Sequence, residues 1–263
     1  MTPLPSRITW PSRALWAYLA CAALGLAIYK WQWLPVSETL YLAILNANLS
    51  LTAGVAVVAS FLAARRDRLY RVWAVAVALL FAGELLFALL EFVFTEVDND
   101  DLGLTAPTLI WLAARIALIA ATAGLWLQTK EERTPGFGRT LAAALGVAVL
   151  TLFAVLGVLV PLVDNLAPSS SAAAPFAFVT ADMIVLLMAA MLLATGVPLG
   201  PYRAPQRFWP VLGFGLYCVG DLFYFRLVAL HSDAFCLGEL AYFAGYLFLI
   251  RGALATGGQP PKD

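Results

Sequence analysis

The grouping of apolar residues is what most constrains this chain. Long runs almost free of charge recur along it, at about 12–30, 38–64, 71–95, 106–128, 138–163, 174–197, 208–230 and 235–256. A helix needs roughly 20 mostly apolar residues to cross the hydrocarbon of a bilayer. Inside lipid every backbone N–H and C=O must find its partner within the segment, so such runs are helices. The expected fold is therefore all-α: a polytopic membrane protein with eight transmembrane helices. Composition agrees, with 62% hydrophobic and 12% charged residues in 263; a soluble domain carries roughly twice that charged share. Trp10, Trp16, Trp31 and Trp33 bracket the first run as an interfacial aromatic belt would. That run reads as a first span and not as a cleavable leader, because apolar segments simply continue after it.

The connections sort by charge. Arg65, Arg66, Arg68 and Arg71 follow the second run, whereas Glu96, Asp98, Asp100 and Asp101 follow the third with no basic residue among them. Lys130, Arg133 and Arg139 come next, then a Ser/Ala/Pro loop with only Asp164, then Arg203 and Arg207, then a His231-Ser-Asp233 turn. Basic loops thus alternate with neutral or acidic ones. The positive-inside rule then predicts a multi-pass protein of the cell membrane with both termini cytoplasmic. The net charge of +0 offers no basic face for nucleic acid, and membrane lipid is the expected partner.

An internal repeat orders the rest. Trp73 leads through an apolar run to Gly83-Glu84-Leu-Leu-Phe, and Trp209 leads in the same way to Gly220-Asp221-Leu-Phe-Tyr. The chain therefore divides into four-helix repeats over 1–130 and 131–263, within one integral membrane domain. Four crossings return a chain to its starting side, so the two repeats should be parallel copies about an axis along the membrane normal. That separates them from the inverted repeats of many transporters. Asn46-Ala-Asn48 in the second run matches Thr180-Ala-Asp182 in the sixth, and Arg115 and Arg251 occupy comparable places in the fourth and eighth.

Ionisable residues inside spans are expensive and are the first candidates for chemistry. Among them are Glu84, Glu91, Arg115, Asp182, Asp221, Arg226 and Glu239. Glu84 and Glu91, seven apart, share a helix face, as do Asp221 and Tyr224, while Arg226 points elsewhere. Carboxylates from equivalent helices would approach near the pseudo-twofold axis, where one stays protonated as an acid and the other ionised as a base. The competing reading makes the same acids interhelical glue, with Gly beside each acid admitting a neighbouring backbone. His231, in a turn, is the only histidine, and Cys21, Cys218 and Cys236 lack CxxC spacing. No metal site, disulfide framework or cofactor is expected, and neither a P-loop nor a hydrolase signature is present.

Three stretches carry a family resemblance: Gly83-Glu84-Leu-Leu, Gly213-Phe-Gly-Leu-Tyr-Cys-Val-Gly220-Asp221, and Tyr242-Phe-Ala-Gly-Tyr246-Leu-Phe-Leu-Ile250. They resemble the YhhN family of eight-helix membrane proteins, with its Gly-Asp motif in the third helix, Ser-Asp in the seventh and Tyr-containing run in the eighth. Here Glu84 stands where the family has Asp, and Gly220 where it has Ser. Ala113 and Ala114 lie near the place of the family's fourth-helix histidine. The resemblance implies lysoplasmalogenase activity, hydrolysis of a vinyl ether bond, with Glu84 and Asp221 as acid and base. Asn48, Asp182, Tyr224 and Tyr242 are the candidate substrate-binding residues. The run Trp209–Gly213, Gly220–Tyr224 and Gly245–Ala253 also resembles the multi-helix sensory region that precedes GGDEF domains in bacterial cyclases. That alternative implies a non-enzymatic sensory or scaffold module binding an apolar ligand, a membrane partner protein or a second copy of the chain.

Overall fold

The computed structural model describes residues 9–30, 37–90, 105–129, 136–165, 173–194, 205–230 and 236–257. All of these form helices, their caps and the short turn at 65–68, with no strand among the described residues. The helices are α1 (Thr9–Lys30), α2 (Glu38–Ala64), α3 (Leu69–Leu89), α4 (Ala106–Gln128), α5 (Phe137–Leu152), α6 (Val160–Asn165), α7 (Ala173–Ala194), α8 (Pro205–Leu230) and α9 (Cys236–Gly257). A π-helical stretch, Phe153–Leu159, joins α5 to α6 into one rod. The fifth apolar run is therefore a single helix with a widened turn inside it, which the hydropathy pattern did not reveal.

Six of these rods are long and apolar enough to cross a membrane: Leu40–Ala64, Leu69–Leu89, Ala106–Gln128, Thr140–Asp164, Ala174–Leu192 and Gln206–Leu227. The chain is a helical multi-pass membrane protein on that ground. The distribution of side chains says the same. Leu51, Val58, Ile116 and Val149 lie exposed on the outside, while Arg115, Asp182, Asp221 and Glu239 are buried. Such an inversion is stable where the surroundings are hydrocarbon.

Local chemistry sets the helix starts. Ser37 accepts a hydrogen bond from Leu40 N at the start of α2, and Thr105 accepts one from Thr108 N at the start of α4. Pro107 sits in the first turn of α4, where its missing N–H is no loss.

Six helices pack in a closed order: α2 on α3, α3 on α4, α4 on α7, α7 on α8, α8 on α9, and α9 back on α2. α1 lies outside this ring against α9. The α5–α6 rod lies outside it against α7 and α8. The tightest seam is between α8 and α9, and glycine makes it. A Cβ on Gly213 would fall 2.7 Å from the Gly245 carbonyl oxygen, and one on Gly238 would fall 3.2 Å from that of Gly220. Contacts run in opposite chain directions, so the two helices are antiparallel. Where no hydrophobic force draws helices together, backbone approach of this kind supplies the van der Waals contact that does. At the end where α3 and α8 begin, Trp73 packs edge-on to Phe214 at 5.9 Å. Tyr70 donates a 2.6 Å hydrogen bond to the Gln206 carbonyl there.

Candidate functional site

Each of α3, α4, α7, α8 and α9 sends a polar side chain inward to one centre. Arg115, from α4, is its hub and is only 2% exposed. Its Nε donates to Asp182 Oδ1 of α7 at 3.4 Å, and its Nη2 donates to Asp221 Oδ2 of α8. Tyr242 of α9 donates to the other oxygen of Asp221, Oδ1, at 2.6 Å. Tyr217, one turn before Asp221 on α8, donates to Glu84 Oε1 of α3 at 3.0 Å. The Arg115 guanidinium also lies over the rings of Phe178 and Tyr217, with centroids 5.1 and 5.0 Å away. The Tyr217 and Tyr242 rings are 4.9 Å apart, which closes the circuit between the two acids.

The sequence places these groups at one level. Glu84 and Asp221 lie in the later halves of α3 and α8, and Arg115, Asp182 and Tyr242 in the earlier halves of α4, α7 and α9. Antiparallel neighbours bring those halves together. A glycine precedes each of the two acids, and each glycine admits an aromatic ring from the following helix. A Cβ at Gly83 would run into the Trp111 indole, and one at Gly220 would lie 2.8 Å from the Tyr242 ring.

The centre holds three carboxyl groups, on Glu84, Asp182 and Asp221, against one guanidinium. An ion pair this deep balances desolvation against attraction, and removing one partner alone costs about 3–5 kcal/mol. Both oxygens of Asp221 are engaged. Asp182 Oδ2 and Arg115 Nη1, both buried, make no hydrogen bond among the described residues. They are an acceptor oxygen and a donor nitrogen of the centre that protein groups leave unused.

Placement of the expected residues is mixed. Glu84, Asp182, Asp221 and Tyr242 come together. Glu84 and Asp221 are linked through Tyr217 and the Tyr217–Tyr242 ring contact; the hydrogen bonds each makes are to Tyr217, and to Arg115 and Tyr242, respectively. Tyr224 is half-buried one turn beyond Asp221, with its ring 5.5 Å from that of Phe225. Asn48 stands apart, its Nδ2 donating 2.9 Å to its own helix at the Ile44 carbonyl. Asn48 and Asp182 therefore play unlike roles despite their matching positions. Arg251 does not mirror Arg115 either: it lies toward the opposite end of its helix, over the Trp209 ring at 4.0 Å. Glu91, His231 and Asp233 fall outside the described residues. Among those residues, no group of three or more His, Cys, Asp or Glu side chains could hold a metal ion, and Cys21 and Cys218 are free thiols.

Arg115 and Tyr217 are the members that spacing did not assign to the site. The available signal was the lone basic residue of an apolar helix, since a cation at that depth needs carboxylates. Compared with known families, with curated proteins and with solved structures, the chain matches none.

Proposed function

We propose that this protein is a membrane-embedded hydrolase of the vinyl ether bond of lysoplasmalogens, working at the Glu84–Tyr217–Asp221–Arg115 centre. The observation that carries the reading is the convergence of five helices on one polar centre. In it two carboxyl groups have different partners: Glu84 faces a neutral phenol, and Asp221 faces a guanidinium. Acid–base hydrolysis needs such a difference, one group to give a proton and one to take it. Glu84 is assigned the donor and gives its proton to the alkene carbon distal to the ether oxygen. The resulting oxocarbenium ion is stabilised by the Asp221 carboxylate. Water then adds to the oxocarbenium carbon and loses its proton to that carboxylate, with Asp182 Oδ2 and Arg115 Nη1 available to orient it. The hemiacetal collapses to an aldehyde and a glycerophospho alcohol, so one water is consumed. In this reading the chain crosses the membrane eight times as two parallel repeats, with both termini cytoplasmic. Reporter fusions at the C-terminus and after Asp101 address that topology.

The test is aldehyde release from lysoplasmalogen by purified protein. Wild type should release it, and Glu84→Gln and Asp221→Asn should each be slower by about 10²-fold or more. A second reading has its own support. Asp221 has both oxygens occupied by protein groups, which suits a structural tie in a sensory or scaffold module that binds an apolar ligand or partner helices. No aldehyde from the wild-type protein would leave that reading in place.

A further inference from the structure

Arg226 is a charge that the central site does not use. It lies on α8, one turn from the end, and turns away from the ring toward the α5–α6 rod. Its Nη1 donates 2.8 Å to the Gly157 carbonyl, and its guanidinium lies 5.7 Å from the Phe153 ring. Both partners belong to the π-helical stretch Phe153–Leu159. A π turn shifts the hydrogen-bonding register and presents carbonyls that an α-helix would use itself, and such turns concentrate at functional sites. A Cβ at Gly157 would sit 2.9 Å from Arg226 Nη1, so the glycine is what lets the guanidinium reach that carbonyl.

Neither a carbonyl nor a ring neutralises the charge. Among the described residues no carboxylate lies within ion-pair distance of Arg226, whereas Arg115 has two. The guanidinium has five N–H donors, and the Gly157 bond takes one of them. The side chain is only half-buried, so an anion can reach it from outside. The rod that holds it presents an apolar flank: Leu152 and Leu156, which directly precede Phe153 and Gly157 in the chain, and Val163 are each more than half exposed. A pinned guanidinium next to a strip of exposed aliphatic side chains is complementary to one class of molecule: an anionic head with an alkyl tail. The geometry points to a phospholipid site at this cleft, with the lipid phosphate on Arg226 and an acyl chain along the α5–α6 rod. Arginine suits the role because its planar fork meets phosphate oxygens two at a time. The site is independent of the central chemistry, since Arg226 and Asp221 emerge on different faces of α8.

The experiment is native mass spectrometry of the detergent-purified protein titrated with phosphatidylglycerol, paired with thermal unfolding in the same lipid. Wild type should retain the lipid and unfold at a higher temperature with it. Arg226→Gln should bind about tenfold more weakly, as expected for loss of a charge-assisted hydrogen bond, and Arg226→Lys should recover part of that loss. Gly157→Ala, which displaces the guanidinium while keeping its charge, should also weaken retention. Lipid retention by Arg226→Gln equal to wild type would overturn the proposal. So would equal stabilisation by inorganic phosphate alone, which would mark an anion site without a tail. If Arg226→Gln proves too unstable to purify, the Arg226→Lys and Gly157→Ala titrations decide; wild-type affinity in both overturns it.

Discussion

The two glycine–acid pairs begin alike and end differently. Gly83 and Gly220 each admit an aromatic ring from the next helix, Trp111 and Tyr242 respectively. Beyond that the environments part. Glu84 is half-buried and takes one phenol hydrogen bond, while Asp221 is 5% exposed and is held by a guanidinium and a phenol together. Similar local sequence has produced one loosely held carboxyl and one locked carboxylate. The difference comes from Arg115, which has no counterpart at the same level of α9, where the chain instead has the Gly245 contact with α8. A duplicated motif therefore does not impose a duplicated environment; the neighbouring helices decide it.

Breaking the asymmetry at its source should have the largest effect. Arg115→Gln leaves Asp182 and Asp221 without their cation and should lower stability by about 3–5 kcal/mol. Adding Asp221→Asn to it should recover part of the loss. Thermal unfolding of both single variants and the double variant in one detergent gives the coupling energy of the pair. An additive double variant would mean that Arg115 and Asp221 act independently, and the contrast with Glu84 would lapse.

A smaller effect should separate the two glycines. Gly220→Ala pushes against the Tyr242 ring and, at 3.1 Å, against the Gly238 carbonyl, a backbone atom that cannot rotate away. It should cost about 1–3 kcal/mol, the usual penalty for overpacking. At Gly83 the obstacle is a side chain, the Trp111 indole, and no backbone atom. Gly83→Ala should therefore cost less than Gly220→Ala in the same unfolding assay. Smallest of all, Asn48→Ala removes only a bond to its own helix. It should change stability by no more than about 0.5 kcal/mol and leave aldehyde release unchanged.

Much of this architecture is legible in the residues alone. Apolar runs locate the helices because lipid permits little else, and the observed bounds stay close to them; α8 begins at Pro205, slightly ahead of its run. Gly83-Glu84 and Gly220-Asp221 stand out because an acid is costly in such a run. Arg115 was visible as a residue but not as a hub. Its partners Asp182 and Asp221 lie 67 and 106 positions away, and no periodicity within one helix says which face meets which neighbour. The π-helical stretch stayed hidden for a related reason. It answers to Arg226 on another helix, while its own residues, Phe-Ala-Val-Leu-Gly-Val-Leu, read as an ordinary apolar run.

The reach of Arg115 across the chain also has a consequence in time. Its carboxylates belong to segments made later, and a ribosome adds roughly 5–20 residues per second. For the 106 positions between Arg115 and Asp221, the guanidinium waits roughly 5 to 20 seconds without its second partner. During synthesis α4 thus holds its charge without either carboxylate until α7 brings Asp182, and the arrival of α8 with Asp221 completes the pairing. Chains stopped short of Asp182 would lack both of these carboxylates, and chains stopped between Asp182 and Asp221 would hold the guanidinium with one of the two.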